Sequence, residues 1–128
     1  MMKNPKETKK VLVVDDDSIH LEIVRAMLEE EYTVITVNSG KAALQYLLDG
    51  ILPDIIFLDI LMPDMNGWET FHRLKAISFL HNVPIAFFTA LSGKDEEEKA
   101  RNLGASDFIR KPCEREELIR KIELLTAY

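Results

Sequence analysis

The sequence predicts an α/β fold, an open parallel sheet covered by helices on both faces. Two observations predict it. Short apolar runs of strand length alternate five times with longer stretches whose apolar residues recur at helical spacing, the pattern of consecutive βα units. Three of the runs, 11–14, 55–58 and 83–88, are apolar throughout, as strands buried on both faces must be. The other two carry Thr33, Thr36, Asp107 and Arg110 and suit the edges of the sheet.

In chain order, the strand at 11–14 runs directly into Asp15, Asp16 and Asp17. Ser18 is the expected N-cap of a first helix, on which Ile19, Ile23, Val24, Met27 and Leu28 recur at helical spacing. The β-branched, partly alternating stretch 32–37 is the second strand. Asn38, Ser39 and Gly40 open a second helix carrying Ala43, Leu44, Leu47 and Leu48. Pro53 breaks the chain before the third strand at 55–58. A loop containing Pro63 and Gly67 leads to a third helix marked by Trp68, Phe71 and Leu74. The fourth strand is expected at 83–88, where Pro84 is tolerable near a strand start. A charged fourth helix spans about 94–103, a short fifth strand 107–110, and a last helix sets Leu118, Ile122 and Leu125 on one face. Residues 1–9 are expected to form a flexible segment and 10–128 a single domain. With runs two and five outermost, the sheet fits the order 2-1-3-4-5 of flavodoxin-like (βα)5 doubly wound folds; its internal order leans on that precedent.

Length and composition narrow the function. A chain of 128 residues can bury a core without disulfide or metal staples, and 47% hydrophobic with 30% charged residues is ordinary for a globular protein. The net charge of -6 argues against nucleic acid or an anionic membrane as the main partner, since each rewards a basic face. The single cysteine, Cys113, excludes an internal disulfide framework. His20, His72 and His81 are scattered without ligand spacing and read as surface or helix-face residues. The apolar stretch after the basic N-terminus is too short for a signal-peptide core, and the stretch 54–62 is far short of a membrane span. The expected setting is cytoplasmic.

The placement of polar groups carries the chemistry. Asp15 and Asp16 follow the first strand, Asp59 the third, Thr89 the fourth, and Lys111-Pro112 the fifth. In an open parallel sheet all these ends lie on one edge, where ligands bind. Three convergent carboxylates suit a hard, oxygen-loving cation, Mg²⁺ before Zn²⁺. A carboxylate can also attack phosphorus to give an aspartyl phosphate. An ammonium and a hydroxyl donor then stabilise the charge on the peripheral oxygens. Asp59, on the central strand, is the natural nucleophile. Lys111 would pair with its charge or with the phosphate, and Thr89 would donate to a phosphoryl oxygen. Taken singly these features are bland: an acidic run is often a solvated helix start, and 62–67 is a turn first.

Together they resemble a response-regulator receiver domain of the single-domain type, over about 11–125. The resemblance rests on Asp15-Asp16, the run Asp59-Ile60-Leu61-Met62-Pro63-Asp64-Met65-Asn66-Gly67, Thr89-Ala90, and Phe108-Ile109-Arg110-Lys111-Pro112. It implies that Asp59 accepts a phosphoryl group from a phosphohistidine on a sensor histidine kinase or a histidine phosphotransfer protein. It implies Mg²⁺ held by Asp16 directly, by Asp15 partly through water, by Asp59 and by the backbone carbonyl of Leu61. Thr89 and Phe108 would be the switch pair, Lys111 would bind the phosphate, and the Lys111-Pro112 bond would be cis. The output would pass through the face of the fourth helix, fifth strand and fifth helix to a downstream protein or a second copy of the chain, without direct contact to nucleic acid or membrane.

Some positions depart from the commonest pattern. Phe108 stands where tyrosine is frequent, so the ring cannot hydrogen-bond when it turns outward. Cys113 replaces a common phenylalanine. Leu61 and Leu91 flank the site at positions that tune phosphate lifetime in the family, where two bulky apolar groups would shield the phosphate from water. Asp17 is outside the required set and is expected to face solvent ahead of the Ser18 cap. Two alternatives remain. A phosphatase passing through an aspartyl phosphate would want an acid at Leu61, and a pseudo-receiver adaptor would not need so complete a constellation. On the leading reading the domain is not an enzyme with a separate substrate; it catalyses only its own phosphorylation and dephosphorylation.

Overall fold

The structure, a computed structural model, describes residues 8–91 and 93–127. Its strands are β1 (Lys10–Val14), β2 (Thr33–Val37), β3 (Ile55–Leu58), β4 (Ile85–Thr89) and β5 (Asp107–Arg110). They pair in parallel in the order β2-β1-β3-β4-β5. Between and after them run α1 (Ser18–Leu28), α2 (Gly40–Leu48), α3 (Gly67–Lys75), α4 (Lys94–Leu103) and α5 (Arg115–Leu125). A 3-10 turn, Ser78–Leu80, links α3 toward β4.

This is the expected (βα)5 sheet, and burial explains which strands sit where. β3 and β4 are buried at every residue and β1 at all but Lys10, whereas β2 and β5 each bury one residue, Val34 and Ile109. Side chains alternate along each strand between two separate cores. Val11, Val13, Ile55, Phe57, Ala86 and Phe88 pack on one side with Val24, Leu28, Leu118 and Ile122, beneath α1 and α5. Leu12, Val14, Ile56, Leu58, Ile85 and Phe87 pack on the other with Ala43, Leu47, Phe71, Leu74 and Ala100, beneath α2, α3 and α4. Among those three, α4 is the least embedded, since Ala100 is its one buried residue.

Three local expectations need correction. Asp17, not Ser18, caps α1: its carboxylate accepts from the Ile19 and His20 amides, and Ser18 is the first helical residue. A carboxylate satisfies the free amides at a helix start as well as a hydroxyl does, and adds charge opposite the dipole. The buried face of α1 is Leu21, Val24 and Leu28, while Ile19 and Ile23 are 71% and 47% exposed. The fourth strand begins at Ile85, two residues later than expected. Pro84 has no amide to give the ladder, although its carbonyl accepts from Ile56 at 3.0 Å. Residues 1–7 of the expected flexible segment lie outside the described residues. Lys9, at its end, donates to Thr126 Oγ1 at 2.8 Å.

Candidate functional site

Backbone pairing continues one residue past the strands and sets the site residues side by side. The Asp15 amide donates to Val37 O (3.1 Å), the Asp59 amide to Val14 O (2.9 Å), and the Lys111 amide to Thr89 O (2.9 Å). The strand ends named from the sequence therefore meet at the carboxyl edge of the sheet. Asp15, Asp16 and Asp59 each turn a carboxylate oxygen inward, all within 4.8 Å of one another. Asp15 and Asp59 are buried, at 1% and 5% exposure, whereas Asp16 stands exposed at the mouth.

Two buried carboxylates so close together are tolerable only if partnered. Lys111 supplies the partner, with Nζ 2.6 Å from Asp15 Oδ2 and 3.1 Å from Asp59 Oδ2. The remaining oxygens are also engaged. Asp15 Oδ1 accepts from the Asp17 amide at 2.9 Å, Asp59 Oδ1 from the Ile60 amide at 2.8 Å, and His20 Nδ1 lies 2.7 Å from Asp15 Oδ2. Burial works to raise the Asp15 pKa, but the hydrogen bonds from His20, Lys111 and the Asp17 amide outweigh it and hold the carboxyl well below the ordinary range. For Asp59 burial prevails: with the Asp15 charge adding to it, the carboxyl is pushed up despite Lys111 and the Thr89 hydroxyl. Burial disfavours the Lys111 charge, yet the two acids hold its pKa above the usual value. The neighbouring carboxylates thus have opposite tendencies, one firmly ionised and the other reluctant.

The other expected residues surround this centre. Thr89 is fully buried, and its Oγ1 accepts from the Leu91 amide at 3.3 Å, leaving the hydroxyl proton to donate elsewhere. Leu61 is 56% exposed, and with Leu91, Trp68, Asp16 and Glu96 it lines an open groove of about 550 Å³ beside the acids. The Lys111-Pro112 peptide is cis. Phe108 is not in the acidic centre. It registers with Phe87, its ring 6.4 Å from that ring, two positions before the Thr89–Arg110 pair. Beside it a cavity of about 130 Å³ is lined by Glu97, Ala100, Ala105 and others. The outer face of α4, β5 and α5 holds a shallow groove of about 570 Å³ that includes Phe108 and Cys113, and ion pairs Glu97–Arg110 (3.3 Å) and Asp107–Lys121 (2.7 Å) cross this face.

One contributor escaped the sequence reading: His20, five residues beyond Asp15, whose ring turns back to the acid from the first turn of α1. Gly67, the end of the loop run named from the sequence, donates its amide to Ile60 O at 2.9 Å, so that the start of α3 lies directly against the Asp59 backbone. Asn66 caps that helix by accepting from Glu69 N. The donor set is oxygen only, the deepest members are buried, and the mouth carries one more acid. That fits a small hard cation which keeps some of its water, the chemistry of Mg²⁺.

Comparisons with known proteins point to one family. A model of the response regulator receiver domain matches residues 11–123. The chain is 35% identical over 120 residues to "Response regulator PleD" of Caulobacter vibrioides, covering 93% of this chain and 26% of that protein. It is 32% identical over 113 residues to an "Uncharacterized 14.6 kDa protein in sodA1 3'region" of Leptolyngbya boryana, covering 88% of this chain and 86% of that protein. The chain thus spans about a quarter of PleD, but most of the Leptolyngbya protein. A solved structure of a putative response regulator from Chloroflexus aurantiacus superimposes with a TM-score of 0.88 at 28% identity, covering 95% of this chain and 100% of that one. Among the described residues no helix is long and apolar enough to cross a membrane.

Proposed function

The chain belongs to the response regulator receiver domain family of two-component signalling, and from that premise we propose that it is a phosphorylation-controlled switch with Asp59 as phosphoacceptor. The observation that supports this best is the position of Lys111, bridging two buried acids at the sheet edge with Asp16 open to solvent beside them.

In this reading a carboxylate oxygen of Asp59 forms an O–P bond as the P–N bond of a donor phosphoimidazole breaks, its electron pair returning to the ring nitrogen. Burial destabilises the ionised nucleophile before the reaction, and transfer spreads its charge over the phosphoryl oxygens. Lys111 follows that charge, and Thr89 gives its hydroxyl proton to a phosphoryl oxygen. Asp15, Asp16, Asp59 and the Leu61 carbonyl would hold Mg²⁺, whose contribution is to neutralise developing charge on those oxygens. Movement of Thr89 would open space for the Phe108 ring and so bias the α4-β5-α5 face, where a downstream protein or a second copy of the chain would bind. Without a phenolic oxygen, Phe108 would signal by shape alone. The donor would be a sensor histidine kinase or a phosphotransfer protein, in the cytoplasm. No separate substrate is turned over, since Leu61 stands where an aspartyl-phosphate phosphatase wants its general acid.

The test is to mix the protein with Mg²⁺ and acetyl phosphate, or with a phosphorylated kinase, and to follow its mass. One added phosphoryl group is expected, and none in Asp59→Asn. No gain in the wild type, or an equal gain in the variant, would falsify the assignment.

A further inference from the structure

His20 makes a contact that the phosphoacceptor reading leaves unexplained. Its Nδ1 lies 2.7 Å from Asp15 Oδ2, the same oxygen that accepts from Lys111 at 2.6 Å. The oxygen that accepts from the Lys111 ammonium presents lone pairs to its neighbours, so Nδ1 carries the hydrogen and donates. Two donors occupy Oδ2, and the Asp17 amide occupies one side of Oδ1 at 2.9 Å. Asp15 is therefore left with a single acceptor direction, on Oδ1, for a cation or a water bound to it.

The ring is itself fixed. Its edge-on contact with Phe88, centroids 5.1 Å apart at 70°, ties it to β4 one residue before Thr89. The Asp17 carboxylate accepts from the His20 amide at 3.4 Å, and the Asp17 amide donates to Asp15, so the histidine closes a ring of contacts that begins and ends on Asp15. Lys111 is differently placed, because it is shared with Asp59. When that ammonium is drawn toward new charge on Asp59, Asp15 Oδ2 keeps only the histidine.

We propose that His20 is a positioning residue: it orients the Asp15 carboxylate for a divalent cation and remains its partner when Lys111 turns to the phosphoryl group. This rests on the function proposed above. Groups that hydrogen-bond a metal-binding carboxylate fix its direction, and their loss typically weakens metal affinity by tenfold or more.

The test measures Mn²⁺ binding to the unphosphorylated full chain, from the resonance signal of the free ion, in wild type, His20→Leu and His20→Asn. The asparagine amide nitrogen comes close to the position of Nδ1 but cannot reproduce the ring contact with Phe88. His20→Leu is expected to bind about tenfold more weakly, with His20→Asn within about twofold of wild type. Thermal melts without the ion separate the roles, because a packing role alone lowers stability in both variants and leaves affinity unchanged. Equal affinity in all three proteins, or His20→Asn as weak as His20→Leu, would overturn the proposal. Wild type that binds no ion would remove the functional reading itself, a result distinct from either.

Discussion

Gly67 and Asp59 are in direct backbone contact: a Cβ on Gly67 would lie 2.2 Å from the Asp59 carbonyl oxygen and 2.6 Å from the Ile60 Cα. Both neighbours are main chain, so neither can rotate away. Gly67→Ala should therefore push α3 off the loop and shift the nucleophile. We expect a loss of about 1–3 kcal/mol in urea unfolding, together with slower phosphate uptake. Unchanged stability would show that the loop yields more readily than its packing implies.

The two buried acids should leave opposite marks on stability against pH in divalent-free buffer. The folded pKa of Asp59 is raised, so its contribution is full below the ordinary value of 3.8 and is lost as pH rises through the folded pKa. The folded pKa of Asp15 is depressed, so its contribution is full above 3.8 and is lost as pH falls. Asp59→Asn should hold its Tm where the wild type declines on the rising side. Asp15→Asn should cost about 2 kcal/mol at neutral pH, and that cost should shrink in acid. Parallel Tm profiles for wild type and both variants would contradict this account.

Asp16 and Asp17 are adjacent, but their side chains do different work. Asp16 opens onto the site, whereas Asp17 caps α1. Asp16→Ala should abolish Mg²⁺-dependent phosphorylation with little change in stability. Asp17→Ala should lose about 1 kcal/mol of stability and still take up phosphate. Mass spectrometry with chemical denaturation separates the two, and identical behaviour would remove the distinction.

Leu61 covers one flank of the groove next to the acids. Replacing it with asparagine removes an apolar screen and adds a group that can hold water. Leu61→Asn should shorten the lifetime of the phosphorylated protein, followed as loss of phosphate after the donor is removed. A longer or unchanged lifetime would refute the shielding role.

The sheet and most of the site were legible because Asp15, Asp59 and Thr89 each terminate an apolar run and Lys111 follows the fifth strand, and parallel pairing brings such ends together without long-range information. What was not legible depends on rotation about a helix axis. Ile19 and Ile23 are spaced as a core stripe is, yet the residues that reach the sheet are Leu21, Val24 and Leu28, a choice set by how Asp17 starts the helix. His20 was hidden for the same reason. Its offset of five from Asp15 has meaning only once the first turn is known to fold back over the acid. Gly67 read as a turn residue, and nothing in the sequence states that a helix start will touch a strand end.

Stiffness is unevenly distributed in this molecule. The sheet interior is locked by side chains on both faces, while α4 is anchored by one buried alanine, by Lys99 lying 4.3 Å over the Trp68 ring, and by a half-exposed ion pair to Arg110. Its first turn has no side-chain cap. Displacing α4 uncovers little apolar surface, so a push of modest energy at Thr89 would be spent on this compliant helix before it could bend the frame beneath.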